Sequence, residues 1–274
     1  MADQGFQMQK SYGTGPPPVV GQPGQSSGAL PPPYAAGQTQ WMPPVAPQAN
    51  CPPGMEYLTQ LDQLLIQQET HLLEILAGWE CKNKFKVLNS VGQQVYYAFE
   101  ESSICQRMCC AQARGFVYHI TDNMQQEIFR VRRDFKCCTG VFCCPGEGCY
   151  YYATVEDRNG QILGHVSNLT FCCTPLFGIF DESKNLIAEI RGPCCPCQMV
   201  CCTDDVDFPV IDTKDQSQIG TISKQWPGLL KEMFTDSDNF RVSFPINMDV
   251  KKKALMFGAI FIIDMMLYER NQNK

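Results

Sequence analysis

Histidine is scarce in this sequence, with three residues in 274. No catalytic triad is recognisable around His71, His119 or His165, which read as structural residues. A glycine-rich phosphate loop is missing as well. No covalent chemistry is therefore expected of the chain. Net positive charge is also missing. The formal charge is −6, so there is no global basic field of the kind that nucleic-acid binding uses. The opening MADQGFQMQK has no apolar stretch and no glycine at position 2. Neither a secretory leader nor simple N-myristoylation is expected from it.

An apolar run of the roughly 20 residues that a spanning helix needs is absent too. The best candidate, 254–268, is broken by Asp264. A charge near the bilayer centre costs about 2.5–3.5 kcal/mol on the lenient insertion scale. Two readings stay open. The segment is either a helix buried inside the protein, or a single membrane anchor whose N-terminal side Lys251, Lys252 and Lys253 would hold in the cytoplasm.

Charge is almost missing from the first 55 residues, which carry only Asp3 and Lys10 but 12 of the 19 prolines. Such a stretch cannot bury enough apolar surface to offset its ordering entropy. We expect a disordered proline-rich tail over 1–52 and one folded domain over 53–270, long enough for a single sizeable core. Within the tail, Pro31-Pro32-Pro33-Tyr34 fits the P-P-x-Y pattern of WW-domain ligands. Pro31, Pro32 and Tyr34 are the candidate contacts for a WW- or SH3-domain partner, because polyproline II needs little further ordering on binding. A plain linker is the alternative.

Cysteine, by contrast, is abundant. There are 17, many as adjacent pairs such as Cys109-Cys110, Cys137-Cys138, Cys143-Cys144, Cys172-Cys173, Cys194-Cys195 and Cys201-Cys202. Neighbouring cysteines seldom bridge each other, so reduced thiols in a cytosolic setting are expected. Their uses could be acylation, metal binding or simple packing as small buried hydrophobes. In the run RVRRDFKCCTGVFCCPGEGC five thiols lie beside Arg130, Arg132, Arg133 and Lys136. Cationic neighbours raise the thiolate fraction, and several acyl chains beside basic residues give stable membrane attachment. Cys194-x-x-Cys197 followed by Cys201 has zinc-like spacing and supports a rival thiolate site.

The segment 56–78 reads as a short amphipathic helix followed by strands, with leucines at 58, 61, 65, 72 and 76. Beyond it a loose repeat runs through NSVGQQVYYAF, TDNMQQEIFRV, DRNGQILGHV, DESKNLIAEI and KDQSQIGTIS. A polar turn followed by alternating apolar residues is a hairpin signature, and five such units predict an antiparallel β domain closed into a barrel.

Several stretches are specific in order and content: CPPGMEYL at 51–58, ITDN at 120–123, the Cys137–Cys149 cluster, RGPC at 191–194, TISKQWPG at 221–228, and FTDSDNF at 234–240. With the C-terminal apolar segment and its aspartate they resemble the phospholipid scramblase family over about residues 50–270. The resemblance implies a closed antiparallel Tubby-like barrel around the hydrophobic C-terminal helix. It implies calcium-responsive, ATP-independent, bidirectional movement of membrane phospholipids, at the cytoplasmic face of the plasma membrane. It implies palmitoylation at Cys137, Cys138, Cys143 and Cys144, and at Cys149. It implies a weak calcium site in 236–247, with ligands from Asp236, Asp238, the Phe240 and Val242 carbonyls, and Asn247. That loop lacks the glycine and the bidentate acid of an EF-hand, having Arg241 and Asn247 at those places. The segment 220–229 resembles the family's nuclear import signal with Lys224 as its one basic residue, which implies a nuclear pool. The alternative function is a palmitoylated adaptor or signalling protein with indirect effects on lipid movement.

Overall fold

The computed structural model describes residues 40–49, 51–69, 83–110, 113–136, 150–170, 174–194, 204–225 and 239–269. All belong to one compact unit, Thr39–Lys274. This unit begins earlier than residue 53. The Met42 amide donates to the Gln94 carbonyl at 2.8 Å, Trp41 bridges Gln94, and Met42 packs against the core. Pro31, Pro32 and Tyr34 lie outside the described residues.

A 3-10 turn, Glu56–Gln60, leads into twelve strands. They are β1 Gln63–Gln68, β2 Lys84–Leu88, β3 Gln94–Glu101, β4 Phe116–Thr121, β5 Glu127–Arg133 and β6 Tyr152–Asp157, then β7 Ile162–Thr170, β8 Leu176–Phe180, β9 Leu186–Arg191, β10 Val206–Asp212, β11 Gln218–Gln225 and β12 Asn239–Ser243. A short helix α1, Ile104–Cys110, sits between β3 and β4, and helix α2, Val250–Ile263, follows β12. Every strand pairs antiparallel with its neighbours in sequence, and β12 pairs with β1, so the sheet closes without an edge. The expected mainly-β closed barrel is present. Leu72 and Leu76 of the leucine-rich stretch lie outside the described residues; its described part gives a 3-10 turn and then β1. There Leu64 and Ile66 alternate inward, a period of two winning over a helical period.

The five repeat segments are the five hairpins β2–β3, β4–β5, β6–β7, β8–β9 and β10–β11. Their turns share one chemistry. The side-chain oxygen of Asn89 accepts from the amides of Val91 and Gln93. Asp122 does the same for Met124 and Gln126, Asp157 for Asn159 and Gln161, and Asp181 for Ser183 and Asn185. In the longer last turn Asp212 accepts from Lys214, and Asp215 from Ser217. Each turn then places one residue at positive φ: Gly92, Gln125, Gly160, Lys184 and Gln216. A type I turn closed by a left-handed residue is a standard short hairpin, and Asx side chains stabilise it. A register shift beside each turn marks the accompanying bulge.

Helix α2 runs through the barrel. Residues 253 to 263 are all buried, which explains why the segment is apolar on every side. Phe257 meets Phe129 edge-on at 5.7 Å, and Phe261 stacks on Tyr118 at 4.0 Å. Gly258 lets the helix approach the wall: a Cβ there would lie 2.9 Å from Val155 Cγ2. The helix continues as a π turn, Asp264–Tyr268. Of the two sequence readings, the fold takes the buried one, so the anchor is corrected. Among the described residues no helix is long and apolar enough to cross a membrane.

The three lysines at the start of α2 oppose the helix dipole, whose N-terminal end is positive. They find partners in the fold instead. Lys251 faces Glu182 at 3.8 Å, and Lys252 faces Asp212 at 3.2 Å. Lys253, fully buried, donates to the carbonyls of Leu58, Leu61 and Ile246 at 2.7–2.8 Å. Burial pushes its pKa down to about 8, opposed by the charge of Asp62, which favours the ammonium form. These lysines fasten the helix to the barrel rim; no bilayer is needed to explain them.

Candidate functional site

An antiparallel barrel with neighbours in chain order sorts its connections by end. The five Asx hairpins lie at one end. The connections β1–β2, β3–β4, β5–β6, β7–β8, β9–β10 and β11–β12 lie at the other. Cysteine follows this division. One cysteine falls in β1–β2, three in β3–β4, five in β5–β6, two in β7–β8 and five in β9–β10. The strands and the hairpin turns carry none, and Cys51 alone precedes the barrel.

At this connection end the barrel is closed from inside by a buried ionic cluster. Arg114 reaches Glu100 at 2.8 Å and Glu269, just past the π turn, at 2.9 Å. Glu100 also accepts from Asn83 at 2.7 Å, Tyr118 at 3.1 Å and Ser102 at 2.6 Å. Burial alone would lower the Arg114 pKa, but the Glu100 hydrogen bond and the charges of both glutamates hold it above its ordinary value. Burial, opposed by Tyr151 and reinforced by Arg114, pushes Arg133 down to about 10. Its guanidinium lies 4.9 Å from the Tyr151 ring centre and donates to the Arg114 carbonyl at 2.6 Å. Sequence reasoning missed this cluster, because its members are spread from position 83 to 269 and only the topology gathers them.

On the outside of the same end, α1 crosses the rim. It has no buried residue: Cys105, Cys109, Ile104 and Met108 are exposed, Met108 by 82 %. The Gly115 amide donates to Gln106 Oε1 at 2.9 Å, which ties the helix to the start of β4. A groove of about 500 Å³ runs beside it, lined in part by Ser102, Gln106, Phe116, Arg132 and Phe135. The Arg132 guanidinium is engaged by Glu156 and Asp134 at 3.1 and 3.3 Å.

The sites read from the sequence fall as follows. Cys137, Cys138, Cys143, Cys144 and Cys149 lie in the β5–β6 connection, outside the described residues. Asp236 and Asp238 are outside them too. Phe240 and Val242 are buried in β12, paired with β1 and β11 on either side, and Asn247 lies in the turn before α2. The backbone of β12 therefore runs from Asn239 at the connection end toward the opposite end of the barrel, where the turn with Asn247 lies. Cys194 is exposed, whereas Cys197 and Cys201 are not described. Of the five described cysteines, Cys105, Cys109 and Cys194 are exposed and Cys51 and Cys110 half-buried, so packing as small core residues does not account for them. Lys224, the one basic residue of the import-like segment, is buried between the rings of Phe240 and Tyr268, with its ammonium 4.5 and 4.9 Å from their centres. Burial against these rings keeps it off the surface. Buried His165 stacks on Tyr152 and faces Thr154 at 3.2 Å. His119 bridges Glu101 and Glu127.

The whole barrel is covered by one family: the Scramblase profile matches residues 42–270. The chain belongs to the scramblase family. It is similar to phospholipid scramblase 1 of Homo sapiens, 42% identical over 267 residues that span 93% of this chain and 82% of the relative. Phospholipid scramblase 1 of Mus musculus is 41% identical, over 93% of this chain and 75% of the relative. Phospholipid scramblase family member 5 of Homo sapiens is 38% identical over 82% and 80% respectively. No solved structure matches the chain. The region matched by the family, 42–270, includes both ends of the barrel and the central helix.

Proposed function

We propose that this protein moves phospholipids between the leaflets of a membrane, without ATP and in response to calcium. The observation that carries the reading is the family match over the complete barrel, from the strand-like start at Met42 to the end of the π turn. The barrel attaches to the cytoplasmic face through palmitate on Cys137, Cys138, Cys143, Cys144 and Cys149, five thiols in one connection. Calcium binds weakly, with Asp236 and Asp238 as principal ligands, since two carboxylates make a low-charge site. The central helix fills the barrel, so lipid passes outside it, where the attached protein disturbs the bilayer. The Pro31–Tyr34 segment recruits a WW- or SH3-domain protein.

A second reading is favoured by that filled interior: a palmitoylated adaptor whose effect on lipids is indirect. One experiment separates the two. Purified full-length protein in liposomes of defined composition is given a fluorescent phospholipid, and outer-leaflet probe is destroyed by a membrane-impermeant reductant. Fluorescence falling beyond the outer-leaflet half, and only with calcium, supports intrinsic lipid movement. A plateau at one half with and without calcium leaves the adaptor.

A further inference from the structure

The connection end carries thiols on several connections, and the one that the structure describes best is α1. Its sequence is Ile-Cys-Gln-Arg-Met-Cys-Cys, Ile104–Cys110. Five of the seven residues are apolar or thiol, yet none is buried. Ile104 and Met108 are one helical turn apart, as are Cys105 and Cys109, and residues at this spacing share a side of the helix. All four are exposed. Arg107 stands in the last turn. Nearby, Phe135 is 45 % exposed beside the groove that Gln106 lines. A helix that presents apolar residues, thiols and one cation but buries nothing is unfinished as a piece of soluble surface. It suits the boundary between headgroups and acyl chains, where apolar side chains insert and a cation meets anionic headgroups.

We propose that α1 is a second S-acylation platform, with Cys105 and Cys109 as the acceptors, and that it lies on the bilayer surface. The proposal rests on the attachment reading above and adds to it a site on a different connection. In the modifying step a cysteine thiolate attacks the carbonyl of an acyl thioester donor. The new thioester forms on the protein, and the donor thiol leaves with a proton; nothing is oxidised or reduced. Two chains held one turn apart, beside Ile104 and Met108, would set the angle at which the barrel meets the membrane. Cys51 is not a candidate acceptor: burial, with Glu56 and Asp249 nearby, pushes its thiol up to about 11, which leaves little thiolate.

The test uses the full-length chain expressed in cells. Acyl groups are counted by hydroxylamine cleavage and labelling of the released thiols with a mass tag. Cys105→Ser with Cys109→Ser should remove two tags relative to wild type. A five-serine variant, Cys137→Ser, Cys138→Ser, Cys143→Ser, Cys144→Ser and Cys149→Ser, should still carry tags. Met108→Glu should shift that five-serine variant from the membrane to the soluble fraction, with its melting temperature unchanged. An unchanged tag count in the double variant overturns the α1 site while leaving the attachment reading intact. A wild type with no tags at all overturns both. A five-serine variant that keeps its tags but ignores Met108→Glu overturns the placement of α1 on the bilayer.

Discussion

The two ends of this barrel are built on different rules. At the hairpin end, five turns of four or five residues repeat one device: an Asn or Asp carboxamide or carboxylate accepting backbone amides, followed by a residue at positive φ. At the connection end the links are long and unequal, and they hold nearly all the cysteine. The first end is fixed by local chemistry and serves the fold. The second is gathered by residues distant in sequence, Arg114, Glu100 and Glu269. The comparison teaches that local and long-range chemistry have been separated along the barrel axis, with α2 fastened at both ends.

If that division is right, the largest effect should come from breaking the connection-end fastening. Arg114→Ala leaves Glu100 and Glu269 buried without their cation, and removing one partner of a buried pair costs about 3–5 kcal/mol. Chemical denaturation should show a lower midpoint with unchanged slope. A loss below about 1 kcal/mol would mean that the C-terminal end of α2 is held by its apolar packing alone. The opposite fastening should give a smaller effect. Lys253→Met leaves three carbonyls without their donor and should cost about 2 kcal/mol. It has a pH signature as well. The folded pKa, about 8, lies below the ordinary 10.5, so between those values the unfolded chain binds more protons. Wild type should therefore gain stability relative to Lys253→Met as pH rises from about 8 to about 10, read as a widening gap in melting temperature.

The smallest effect belongs to a single turn. Asp157→Ala removes the acceptor for Asn159 and Gln161 and should cost about 1 kcal/mol, because the hairpin keeps its strand pairing. Acid should weaken the same end. The carboxyl of Asp181 is held below the usual range by Asn185, and that of Asp212 by the Lys214 amide. Their contribution is full above about pH 4 and is lost as pH falls through the folded values.

This contrast also governs what the sequence makes legible. The hairpin end can be read directly, since an Asx turn and the alternation after it are local signals. The central helix can be read in outline, because a segment apolar all round but too short to span belongs in a core. Trp41 and Met42 cannot be read, as their neighbours are proline-rich and only the pairing with Gln94 places them. The ionic cluster is equally hidden: Arg114 looks like a surface residue until β3 and the end of the chain meet around it. Lys251–Lys253 misled for a physical reason. A basic run before an apolar segment is the signature of a membrane anchor, and here it is the fastening of a buried helix. The thiols stand out in the sequence by number, but their gathering at one end needs the strand order.

The closure of β1 on β12 carries a consequence for how the molecule comes into being. The first strand made waits for the last, and the helix that fills the interior is synthesised after both. Until β12 and α2 have left the ribosome, the inward faces of the earlier strands have nothing to enclose, and β1 has one side unpaired. The nascent chain must be kept from sticking to its neighbours until both have emerged. Loss of β12 and α2 would therefore leave a chain that can bend its hairpins but cannot complete its barrel.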